Sequence, residues 1–192
     1  MPRIAPLAEH SALAPGVAEL LAFAEQAGAP DPRMARVLLR TPIGVEFLQF
    51  WVQALYEGLL PHRLKEIVRI YLSAAEGCAY CTSVRSSQGR AEGVSDELLL
   101  ALDDIATNIH LSERERAALG FAQRFKADQA DDDGVFAELR EHFSDEEVLE
   151  LGLFCGIVRG AGAFAKLLKV VTWGEVCELR PELQRLREIA SK

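Results

Sequence analysis

An apolar stripe that runs into a pair of cysteines limits the fold of this chain more than any other feature. Leu64, Ile67, Val68, Tyr71, Leu72 and Ala75 recur at i, i+3, i+4, i+7, i+8 and i+11, the period of a helix with one wide buried face. Glu76-Gly77 interrupts the period, and glycine ends helices by taking a left-handed conformation that other residues resist. A second helix entered through Gly77 then carries Cys78 and Cys81. Two cysteines at this spacing can exchange between dithiol and disulfide, and a helix N-terminus favours the thiolate that reacts.

Glu66 lies upstream, beside the stripe. On one unbroken helix it would stand roughly 18 Å from Cys78 at about 1.5 Å per residue, beyond any proton transfer. A bend at Glu76-Gly77 would fold the two helices together and bring the carboxylate near the thiols. Taken alone, Glu66 also reads as a solvated helix carboxylate paired with Arg69 or Arg63. His62, one turn before Glu66, shares its face, and reads either as a source of imidazole or as a solvated histidine near a helix start.

The rest of the chain reads as helical scaffold. Residues 1–14 are an arm rich in alanine and proline, and 15–192 form a single domain. Pro15-Gly16 starts a helix that Gly28-Ala-Pro30 stops; Asp31 caps a second, with Pro32 at its first position, ending before Thr41-Pro42. Val45 to Tyr56 buries Leu48, Trp51, Val52 and Leu55. Ser86 to Gly93, low in apolar content, closes the cysteine helix, and Ser95 begins another. Ser112 with Glu115 and Ser144 with Glu147 are capping boxes for two long helices. Asp131-Asp-Asp133-Gly134 is a solvated acidic turn. Gly152, Gly156 and Gly160 recur every four residues, which predicts a close helix approach within the domain or between subunits. A final helix from Pro181 presents Leu183, Leu186 and Ile189 on one side.

Charge and composition exclude several classes. Of 192 residues, 49% are hydrophobic, enough for one buried core, and the formal charge of -8 without a basic cluster argues against nucleic acid. The N-terminal residues lack the apolar core of a secretory signal, and the run Leu151 to Val158 is short of a membrane span, so a cytoplasmic protein is expected. Four cysteines there favour catalytic or free thiols. Zinc lacks a second ligand pair, and no metal or organic cofactor is expected. Cys155 reads as inert core; Cys177 lies near Trp173 and Gly174 in a turn.

A glutamate twelve positions before Cys-x-x-Cys, led in by His62-Arg-Leu-Lys-Glu-Ile-Val and completed by Gly77-Cys-Ala-Tyr-Cys, resembles the AhpD-like branch of the carboxymuconolactone decarboxylase superfamily. Leu111-Ser-Glu-Arg-Glu-Arg-Ala-Ala-Leu-Gly-Phe-Ala and His142-Phe-Ser-Asp-Glu-Glu-Val-Leu-Glu-Leu are similar to the two segments that follow the cysteine helix there, so the resemblance covers about 45–170. It implies an all-α, oligomeric fold (dimer, trimer or hexamer) and thiol-dependent hydroperoxide reduction, recharged by an external dithiol. By the same resemblance Cys81 is the peroxidatic thiol, Cys78 resolves it as a disulfide, and Glu66 belongs to the proton relay. Tyr80 falls where some members carry a second histidine, and its phenol can donate to a bound peroxide or simply pack. The family's histidine four residues after the second cysteine is Arg85 here; it cannot shuttle protons at ordinary pH, but its charge can stabilise a thiolate one helical turn away. The alternatives are an acid–base enzyme of the lactone decarboxylase kind, and a non-catalytic helical oligomer with a degenerate site.

Overall fold

Helix α4 (His62–Ala75) is the element on which most of the others pack. The computed structural model describes residues 2–8, 12–127, 133–172 and 175. Before α4 come α1 (Pro15–Ala27), α2 (Pro32–Leu38) and α3 (Pro42–Tyr56); after it come three short helices, α5 (Ala79–Ser83), α6 (Ser87–Ala91) and α7 (Asp96–Leu100). The described chain is completed by α8 (Glu113–Lys126), α9 (Asp133–Arg140) and α10 (Asp145–Leu168). No strand occurs among the described residues, and the fold is all-α, as expected.

Local chemistry sets most of these boundaries. The Asp31 carboxylate accepts from Met34 N and opens α2 with Pro32 in its first turn. Thr41 caps α3 in the same way, so that helix starts at Pro42, earlier than the apolar pattern suggested. Both capping boxes form, Ser112 with Glu115 and Ser144 with Glu147.

The predicted stripe of α4 is buried against α8 and α10, with Leu64, Ile67, Val68 and Leu72 meeting Leu119, Leu151, Phe154 and Val158 in one core. The opposite side of α4 is buried too. A second cluster joins Cys78 and Tyr80 to Met34, Val37, Ala165 and Leu168, across α5, α2 and the end of α10. Lys65 is fully enclosed, its ammonium donating to the Glu57 carbonyl and lying 3.4 Å from Glu150. Glu150 also accepts from Leu59 N and Leu60 N, which pins the α3–α4 connection to α10.

The first residues lie against the helices: Arg3 N donates to Leu168 O, Leu7 N to Arg36 O, and Arg36 and Arg40 reach back to the carbonyls of Ala8 and Ala5. Among the described residues the glycines of α10 do not mark a close backbone approach. A Cβ at Gly152 or Gly156 would meet only a Phe121 or Phe125 ring edge at 3.8 Å, and at Gly160 nothing within 4 Å. By length and composition α10 could cross a membrane, which the run Leu151 to Val158 alone could not; one side of it packs on α3, α4, α5, α8 and α9. Part of the acidic turn, Cys177 with its neighbours Trp173 and Gly174, and the predicted helix from Pro181 lie outside the described residues.

Candidate functional site

The predicted bend is where the site begins. Helix α4 ends at Ala75, Gly77 takes φ +67°, and Cys78 caps α5, its sulfur accepting from Cys81 N at 3.2 Å. Cys78 and Cys81 are joined as a disulfide. Cys78 is wholly buried, whereas Cys81 is only partly so and lines a cavity of about 60 Å³. The cavity walls are mostly apolar, including Met34, Phe47, Trp51, Val158 and Ala165, with Arg69, Ser73 and Tyr80 as polar members.

Glu66 reaches this region only through a neighbour. It is fully buried, and Arg69 grips it in a forked pair, Nε to Oε2 at 2.8 Å and Nη2 to Oε1 at 3.0 Å; Ser86 N adds a third bond at 2.8 Å. No hydrogen bond connects Glu66 with either sulfur. Arg69 makes the connection, donating from Nη1 to Cys81 O at 2.9 Å and from Nη2 to Val84 O at 2.7 Å. Burial alone would raise the carboxyl's pKa, but the Arg69 guanidinium and the Ser86 amide overcome it and hold it at about 2.

A lowered carboxyl pKa is a stability that depends on pH. The pair stabilises the fold fully above the ordinary carboxylate range, and the stabilisation is lost as pH falls toward 2. It amounts to about 3 kcal/mol at most, taking roughly 1.4 kcal/mol per pKa unit. Urea unfolding should therefore weaken markedly between pH 6 and pH 3, and Glu66→Gln should remove much of that slope. An identical slope in the variant would show that Glu66 is not the group responsible.

Arg85 is not one helical turn from Cys81, as had been expected, because α5 stops at Ser83. Its guanidinium donates to the carbonyls of Thr82 and Val84 and lies 4.0 Å from Asp96. The segment after it does not simply close the cysteine helix either: Ser86 caps a separate helix, α6. The physical reason is that Arg69 and Arg85 draw the α5 carbonyls away, while Glu66 takes the Ser86 amide and the Ser86 hydroxyl takes Gly89 N.

His62 is buried, not solvated. Its Nε2 lies 2.8 Å from Ser86 Oγ and its Nδ1 2.9 Å from Leu55 O. Because Leu55 O can only accept, Nδ1 carries the hydrogen of the neutral ring, and Nε2 then accepts from the Ser86 hydroxyl. Tyr56 stacks on the ring at 4.6 Å. Tyr80 lines the cavity, but its hydroxyl donates to Asp31 Oδ1 at 2.8 Å, and burial, reinforced by that carboxylate, raises its pKa. Cys155 is buried in the main core and its pKa is pushed up to about 12. Among the described residues no group of three His, Cys, Asp or Glu could hold a metal ion.

Arg69 and Ser73 are the residues of this site that the apolar pattern did not single out. The signal was a second stripe: His62, Glu66, Arg69 and Ser73 stand at i, i+4, i+7 and i+11, and all four are buried.

The helical bundle built around one buried helix has an all-α, AhpD-like fold, with a bonded cysteine pair at the wall of a small cavity. The carboxymuconolactone decarboxylase family model matches residues 44–124. That match spans 81 of the 192 residues, and the fold as a whole is shared with AhpD-like structures. Two structures of the debrominase Bmp8 share the fold at 22% identity and a TM-score of 0.77. The apo form covers 96% of this chain and 97% of its own; the other, a cysteine-to-alanine variant in complex with 2,3,4-tribromopyrrole, covers 97% and 98%. An AhpD-core peroxidase-related protein from Ralstonia eutropha JMP134 matches with a TM-score of 0.70 at 19% identity, over 89% of this chain and 92% of its own. The uncharacterized protein YdfG of Bacillus subtilis (strain 168) is 22% identical over 114 residues, 58% of this chain and 78% of YdfG.

Proposed function

We propose that the protein is a dithiol-dependent reductase of small hydroperoxides, with Cys81 as the attacking thiol and Cys78 as the resolving one. The observation that carries this reading is the asymmetry of the pair: Cys81 faces the cavity, and Cys78 is wholly buried behind it, already bonded to it. The Cys81 thiolate attacks the terminal peroxide oxygen, the O–O bond breaks, and the alkoxide leaves as alcohol with one proton. Cys78 then attacks the sulfenic sulfur, forming the disulfide and releasing water with the second proton. Both protons come from the two thiols, and an external dithiol restores them.

In this scheme Glu66 acts by holding Arg69, since a carboxyl with a pKa of about 2 carries no proton to give at neutral pH. Arg85 and His62 act on the shape of the α5–α6 connection through their bonds to Thr82, Val84 and Ser86. The exposed apolar side chains of α10, Leu149, Leu153, Phe164 and Leu167, support the homo-oligomer that the resemblance implies.

Cavity size favours a small hydroperoxide over a ring. The 60 Å³ here is less than half of the roughly 150 Å³ known to admit benzene. A halogenated pyrrole like that bound by Bmp8 would need the same two electrons but more room. A second reading, acid–base catalysis on a small carbon acid, draws support from the family match. It requires a free base at the cavity, and Glu66 is committed to Arg69 and Ser86.

Reaction of the fully reduced protein with ethyl hydroperoxide, followed by intact mass and peptide mapping, tests these readings. The Cys78–Cys81 disulfide should form much faster than in a free dithiol control, with one alcohol produced per disulfide. Oxidation no faster than the control removes the reductase reading. Rapid disulfide formation with 2,3,4-tribromopyrrole but not with the hydroperoxide would transfer the site to dehalogenation.

A further inference from the structure

Ser73 is a polar group whose side chain has no hydrogen-bond partner among the described residues. It is 1% exposed, lies in the middle of α4 and lines the Cys81 cavity. A serine inside a helix commonly bonds back to the carbonyl four residues earlier. Here the hydroxyl makes no hydrogen bond among the described residues, and its oxygen is not fully enclosed, so a molecule in the cavity can meet it.

Arg69, one turn earlier on the same face, has capacity left as well. Its guanidinium carries five N–H hydrogens. Four are taken by Glu66 Oε1, Glu66 Oε2, Cys81 O and Val84 O, and the fifth, on Nη1, has no acceptor among the described residues. The other polar group at the cavity, the Tyr80 hydroxyl, is spent on Asp31. An otherwise apolar cavity beside Cys81 thus offers hydrogen-bond donors from one helix face and little else that is polar.

We propose that Ser73, assisted by the remaining N–H of Arg69, is the subsite that binds the oxygen of a small substrate at Cys81, selecting molecules with one compact acceptor on an apolar body. This deepens the hydroperoxide reading and rests on it for the identity of the substrate: the bound oxygen is the one that leaves as alkoxide. Ser73 contacts the substrate directly, and a purely hydrocarbon molecule of equal size gains nothing from it.

The test uses the oxidised protein, in which the disulfide is closed and no turnover occurs, so it is independent of peroxidase activity. Ethanol, the product alcohol of ethyl hydroperoxide, and xenon, an apolar probe, are titrated separately while the amide resonances of Ser73, Cys81 and Val84 are followed. Both should bind, and Ser73→Ala should weaken ethanol about fivefold, the value of one ordinary hydrogen bond, while leaving xenon within about twofold. Alanine is the better helix former, so the variant should fold, and Ser73→Thr, which keeps the hydroxyl, should retain the preference for ethanol. Equal weakening of both probes, unchanged ethanol binding, or no ethanol binding to the natural protein overturns the proposal. Ethanol selection by Ser73 without hydroperoxide-driven disulfide formation would instead leave the subsite standing and remove the reductase reading.

Discussion

Arg69→Ala should destabilise the protein by about 3–5 kcal/mol in urea unfolding at pH 7, the cost typical of removing one partner from a buried ion pair. The variant leaves the Glu66 carboxylate enclosed with only the Ser86 amide to stabilise it. It also frees the carbonyls of Cys81 and Val84, which Arg69 ties to α4. Lysine should not rescue the loss, because a single ammonium cannot reproduce the fork to Glu66 and reach two carbonyls as well. The double variant Glu66→Gln/Arg69→Met should lose less than the sum of its single changes, since neither charge is then left alone. Amide exchange at residues 81–86 should accelerate beyond the global effect in Arg69→Ala. A loss below about 1 kcal/mol, or additive single changes, would mean that the pair does not hold α4, α5 and α6 together.

That pair also explains how much of the molecule was legible in the sequence. The helices were readable because their signals are local: Asp31 before Pro32, Ser112 with Glu115, Ser144 with Glu147, and the period of Leu64 to Ala75 each act within a turn or two. The bend at Gly77 was equally local, a glycine placed where the stripe breaks. The end of α5 was not. Nothing near Ser83 stops a helix; the stop comes from an arginine twelve residues before Cys81 that takes the carbonyls, and from a glutamate that takes the Ser86 amide. The same distance hid the orientation of Arg85, read along a helix that does not extend that far. Burial was the other missing quantity. Glu66 beside an apolar stripe reads as solvated when one face of a helix is assumed to be wet, but α4 is covered on both sides, so His62, Glu66, Arg69 and Ser73 form a polar seam inside the protein. Four polar residues at helical spacing on a helix this central were the available signal, and reading it requires knowing that the second face is covered by α3, α5 and α6.

The two single-cysteine variants should fail in different ways, and the difference follows from burial. Cys78→Ser keeps the thiol that faces the cavity, so it should consume one equivalent of hydroperoxide and stop, with one oxygen added to Cys81 and no disulfide within the pair. Cys81→Ser leaves only a wholly buried thiol whose sulfur accepts a backbone N–H at position 81, and it should react no faster than a free thiol control. Neither variant should turn over. Cys155 cannot substitute, because it is enclosed in the main core and its pKa is raised to about 12, leaving almost no thiolate at neutral pH. Both variants are best made with Cys177→Ala in place, so that any added oxygen on a redox cysteine can be assigned by peptide mapping. If Cys81→Ser forms the sulfenic acid and Cys78→Ser does not, the order of attack is reversed, and the cavity beside Cys81 is not where the peroxide reacts. If both variants keep multiple turnover, the disulfide is a bystander, and the acid–base reading must find its base elsewhere than at Glu66.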